Sequence, residues 1–95
     1  MLDSCKRAMR IKTDAYDAEI EELIAAALED LGIAGVLHTE EETVPPLIRR
    51  AVVTYVRLHF GTPDDYDRLK LSYDEQKAQL QTSRSYTTYP EEETE

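Results

Sequence analysis

From Val44 to Gly61 the sequence reads VPPLIRRAVVTYVRLHFG, and this stretch limits the chain's folds more than any other. Pro45 and Pro46 suit the first turn of a helix, whose amide positions have no carbonyl partner to lose. Gly61 supplies a stop. Between them Leu47, Ile48, Ala51, Val52, Tyr55 and Leu58 fill one broad arc, and Val53, Val56 and Phe60 lie across from it. Only Arg50, Thr54 and Arg57 form a polar strip. A helix apolar nearly all round must be covered on several sides. The rest of the chain therefore has to supply amphipathic helices that sheathe it.

Three segments fit that task. Tyr16, Ile20, Leu23, Ile24, Ala27, Leu28 and Leu31 recur at helical spacing along one face, with Thr13 or Asp14 as a cap and Gly32 or Gly35 as the end. Leu2, Cys5 and Met9 make a shorter stripe that only packing can hold in place. Thr62-Pro63-Asp64-Asp65 reads as an N-cap, a first-turn proline and first-turn acids. It opens a fourth helix about two residues after the third has closed, which makes the two close neighbours. The expected fold is all-α: a small bundle of four helices over about 2–10, 14–32, 45–60 and 63–80. Residues 1–80 form one helical domain, and 81–95 form an acidic, flexible tail that stays partly disordered until bound.

Along the fourth helix Tyr66, Leu69, Tyr73, Gln76 and Leu80 alternate by three and four, a narrow apolar seam. That seam either completes the core or meets another subunit. Leu71 and Ala78, seven apart, lie on another side of the helix. Tyr86 and Tyr89 follow in a segment too polar to pack alone, and tyrosine is enriched where proteins meet. The candidate interface residues are therefore Tyr66, Leu69, Leu71, Tyr73, Ala78, Leu80, Tyr86 and Tyr89. Arg50 and Arg57 share the polar strip of the buried helix, and Glu21 or Glu29 of the second helix can pair with them, within one chain or between two.

Charge is distributed in blocks. Residues 1–12 carry a net +3, residues 13–44 hold ten acids and no base, 45–80 are nearly balanced, and 81–95 carry −3, giving the chain its net −9. Complementary ends on one chain permit head-to-tail contact between copies. A freestanding DNA binder is disfavoured, because phosphate affinity needs a basic stripe. One cysteine, Cys5, excludes an internal disulfide and a cysteine-based metal cluster, and points to a reducing, intracellular setting. No apolar run approaches the roughly 18 residues of a membrane span. His38 and His59 stand apart, three glycines build no phosphate loop, and Glu40-Glu41-Glu42 reads as a solvated run. The reading is a protein without cofactor, metal or catalytic centre.

Three stretches together resemble the small head–tail connector, or head-completion, proteins of long-tailed phages and prophages, also described as DNA-packaging adaptors. They are Leu2…Cys5-Lys6…Met9-Arg10-Ile11 with the acid-rich helix that follows, VPPLIRRAVVTYVRLHFG, and TPDDYDRLKLSYDEQKAQL. The resemblance covers about residues 2 to 89. It implies a virion structural protein that assembles in the host cytoplasm into a ring of about twelve copies beneath the portal. The ring extends the DNA channel at the head–tail junction and offers the docking surface for the next connector or tail-completion protein. DNA passes through only as non-specific cargo, and no membrane is involved. The resemblance also implies that helix four and the Ser85–Tyr89 segment reach the portal or neighbouring subunits. An acidic lumen built from carboxylates of residues 14–42 would let DNA slide without sticking. Two other readings stand beside it: an acidic DNA mimic that blocks a DNA-binding protein, and a regulatory helical interaction module.

Overall fold

The structure is a computed structural model that describes residues 1–40 and 44–88. It is all-α: α1 (Leu2–Met9), α2 (Asp17–Ile33), α3 (Pro46–His59), α4 (Tyr66–Thr82) and the single turn α5 (Arg84–Thr87). The third helix is the centre, as its composition requires. Pro46 occupies its first turn, and Ile48, Ala51, Val52 and Val56 are fully buried beneath α1, α2 and α4. Thr54, the buried polar residue of this helix, turns its hydroxyl back to donate to the Arg50 carbonyl at 3.1 Å, so no donor is stranded.

Ring contacts set the helix directions. Tyr16, at the head of α2, meets Phe60, just past the end of α3, edge to face at 5.5 Å. Tyr55 of α3 meets Tyr73 of α4 at 5.3 Å, and Leu47 and Arg50 share a cleft with Gln79 and Leu80. Both α2 and α4 thus run antiparallel to α3 and parallel to each other. The body has two distinct ends. One gathers the C-terminus of α1, the start of α2, the end of α3 and the start of α4. The other gathers the end of α2, the start of α3, the end of α4 and α5.

The helix ends follow local backbone chemistry. Gly35, at φ +97°, closes α2, with its N–H donating to Gly32 and that of Val36 to Leu31. The same pair of bonds closes α1, from Arg10 to Arg7 and from Ile11 to Lys6, but the left-handed position belongs to Arg10, at φ +59°. Two expected starts are corrected. The second helix begins at Asp17 rather than 14, because the Thr13 hydroxyl accepts from the Ala15 N–H and caps a separate turn. The fourth begins at Tyr66 rather than 63. Gly61, at φ +65°, and Pro63 carry an extended connection, and Asp65 rather than Thr62 flanks the helix. The connection is longer than the two residues expected, yet α3 and α4 remain the most extensively packed pair. The fourth helix also continues past Leu80 to Thr82.

A left-handed arginine carries steric strain that glycine escapes. Arg10→Gly is expected to raise stability by about 0.5–1 kcal/mol in urea unfolding, and Arg10→Ala to give no such gain.

Candidate functional site

Among the described residues no group of His, Cys, Asp and Glu could hold a metal ion. Cys5 is fully buried, and burial pushes its thiol above the ordinary range while the Met1 ammonium only partly opposes that shift. His59 lies exposed on α3 with its ring 4.3 Å from Tyr55, and His38 sits at φ +71° beside Tyr86. The functional question is therefore one of surfaces.

The side of α4 that faces the bundle is spent on the chain itself. Leu69, Tyr73 and Leu80 are buried against α3. The Tyr73 hydroxyl donates to Asp30 of α2 at 2.6 Å, Lys77 reaches the same carboxylate oxygen at 3.2 Å, and its ammonium stands 5.3 Å above the Tyr73 ring. Gln81 extends the link by donating to the Ala34 carbonyl at 3.1 Å. This polar clasp fixes the parallel placement of α2 and α4. Burial pushes the Asp30 carboxyl up, but the hydrogen bonds from Tyr73 and Lys77 and the Lys77 charge outweigh it and leave it below the usual carboxylate range. Burial, followed by the bond donated to Asp30, drives the Tyr73 phenol far above its ordinary value.

What remains outside is a different set. Leu71 (59% exposed) and Ala78 lie opposite the buried seam, beside Asp67 and Asp74, and Tyr66 (45% exposed) stands at the edge. Tyr86 is half-buried: its carbonyl accepts from the Leu37 N–H at 2.6 Å, and its side chain packs against the core. Tyr89 lies outside the described residues. Ile33, 81% exposed at the end of α2, is a further apolar residue that the stripe analysis passes over, since it falls outside that helix's buried spacing. Gln76, in the seam, keeps a buried side-chain oxygen without a hydrogen-bond partner among the described residues.

The charged candidates divide similarly. Asp17 is 2.8 Å from Lys6, an ion pair that joins α1 to the start of α2. Glu21, Glu22 and Glu29 are exposed on the outward side of α2 together with Ala18, Ala25 and Gly32. Arg50 and Arg57 reach no carboxylate among the described residues, and neither do Glu21 and Glu29 reach a base. Arg57 instead lines a cleft of about 360 Å³ at the α1 end, with Arg10, Met9, Ile11, Phe60 and Pro63. Asp65 borders the cleft, but its carboxylate is held by Arg68.

Comparison with known protein families matches residues 1–87 to the phage connector proteins. The chain belongs to that family. No curated protein and no solved structure matches it. A connector is a structural component of the phage particle, and exposed faces rather than an enclosed pocket are what such a role requires. No helix among the described residues is long and apolar enough to cross a membrane.

The clasp makes stability depend on pH at both extremes. Asp30, depressed in the folded chain, contributes above its ordinary value of 3.8, and that contribution is lost as pH falls further. Tyr73, raised in the folded chain, contributes below 10.0, and that contribution is lost as pH rises past it. Unfolding free energy should therefore be flat through the neutral range and fall on both sides. Tyr73→Phe should lower the plateau by about 1–2 kcal/mol and remove the Tyr73 share of the alkaline decline, read by urea titration across pH.

Proposed function

We propose that this connector assembles into a ring of about twelve copies beneath the portal, prolongs the DNA channel, and presents the surface on which the next head-completion or tail-completion protein docks. The family match over residues 1–87 carries the reading. The exposed strip of Leu71 and Ala78, with Tyr66 at its edge, is the part of α4 free to meet a neighbouring subunit or the portal, and Tyr86 and Tyr89 are further candidate contacts. The helical body and the partner-binding tail then divide the work between holding shape and making contacts. Arg50 and Arg57 are open to carboxylates of an adjacent subunit, and Glu21 and Glu29 are one source of them.

The outward side of α2, acidic and without a single base, suits a lumen wall. A wall of like charge gives DNA no phosphate contact to hold it, so the duplex passes without sticking. The same three exposed glutamates on one helix would also serve a DNA mimic, which differs in staying monomeric and in binding basic proteins with steep salt dependence.

Light scattering behind size-exclusion chromatography, with negative-stain images, tests the proposal on the chain alone and mixed with the portal ring of the same phage. Closed rings with a central channel, free or on the portal, are expected. A chain that stays monomeric and ignores the portal at every concentration would sink the connector ring. Leu71→Glu should change stability by no more than about 0.5 kcal/mol, because the side chain is exposed, while weakening assembly in the same images. Undiminished assembly of that variant would remove Leu71 from the contact surface.

A further inference from the structure

The cleft at the α1 end has a chemistry that nothing else in the described chain satisfies. Its walls are apolar (Met9, Ile11, Phe60 and Pro63), and two guanidinium groups, Arg10 and Arg57, line it without a carboxylate partner among the described residues. The acid on its border, Asp65, is already taken by Arg68. Around it lies the most basic part of the sequence, residues 1–12 with net +3. Such a site suits a short segment with an aromatic or proline anchor followed by carboxylates.

A segment of that kind follows Thr88. Tyr89-Pro90-Glu91-Glu92-Glu93-Thr94-Glu95 opens on an aromatic residue and a proline and continues with four carboxylates in five residues. We infer that this acidic segment of one copy docks into the Arg10–Arg57 cleft of a neighbouring copy, Tyr89 and Pro90 resting on the apolar walls and the glutamates meeting the two arginines. The inference rests on the connector reading, because its partner is a second copy of this chain.

Reach decides for the neighbour over the same chain. The cleft lies at the start of α4, whereas Thr88 leaves the body beyond its end, beside α5. The seventeen residues of α4 separate the two by about 25 Å at the helical rise. Tyr89 and Pro90 lie within two residues of Thr88, a reach of at most about 7 Å fully extended. That anchor pair cannot sit on the cleft of its own chain, but it can enter one presented by the next copy. A contact from one end of a molecule to the opposite end of the next is heterologous, the type that closes into rings. Exposed ion pairs contribute little singly, so the apolar seat for Tyr89 is needed alongside them.

The test uses the full chain, kept dilute, and a fluorescein-labelled peptide of residues 86–95 followed by anisotropy. Saturable binding is expected, weakened roughly tenfold or more by R10E/R57E in the protein or by E91K/E92K/E93K in the peptide. The peptide variant leaves the folded body untouched, so its result stands even where the arginine variant fails to fold. A native peptide that does not bind, or a charge-reversed one that binds equally well, overturns the inference. In images of assembled material, the chain carrying E91K/E92K/E93K should lose rings, and combining it with R10E/R57E should restore them. Normal rings from the tail variant alone would overturn this docking while leaving the connector reading intact. Failure of that reading shows separately, as a native chain that neither forms rings nor engages a portal.

Discussion

Everything in this molecule is arranged around the covering of α3. Ile48, Ala51, Val52, Val56 and Leu58 of this helix cannot face water, and a chain this short has little other apolar surface from which to build a core. Helices α1, α2 and α4 are therefore recruited as sheath, each giving it one face. Burial of each large side chain contributes about 1.5–3 kcal/mol, so losing one flank would remove a large part of a small domain's margin. The sheath fixes which surfaces are left over. Outward faces of α2 and α4, and the two ends, are among the surfaces that remain for other molecules.

The packing of α4 on α2 rests on a local rule broken on purpose. An acid near the C-terminus of a helix opposes the dipole, and Asp30 sits there with no base in the last turn of α2 to offset it. Compensation comes from another helix, through the Tyr73 hydroxyl and the Lys77 ammonium. The three groups thus tie α4, whose direction is set by its packing on α3, to a charge that α2 cannot satisfy itself. Tyr73 thereby serves the core with its ring and the clasp with its oxygen, as a buried tyrosine must.

Much of this was legible in the residue pattern. Periodicity located all four long helices, because Ile20, Ala27 and Leu31, or Leu69, Tyr73 and Leu80, are buried at the spacing a helix demands. Capping residues were less reliable. Thr13 and Thr62 have the right chemistry for helix starts, yet each belongs to a turn or connection before its helix, because side-chain preference competes with the geometry the chain needs to change direction. Spacing alone set the α4 seam apart from Leu71 and Ala78 and favoured core over interface for it; three-dimensional burial places Leu69, Tyr73 and Leu80 in the core. Asp30 looked like one acid among ten; its partners are more than forty positions away in sequence, beyond any local pattern. The cleft of Arg10 and Arg57 was illegible for the same reason, since α1 and α3 meet only through the fold.

The outward acids of α2 limit how two copies can meet. Glu21, Glu22 and Glu29 stand without partners among the described residues on a helix that has no base. Two such faces brought together would bury like charges, which costs several kcal/mol and excludes a two-fold contact through α2. Apolar side chains and both signs of charge occur instead at the ends and on the far side of α4, so a contact that covers the outward acids of α2 must set them against bases of a different face, such as Arg50 and Arg57.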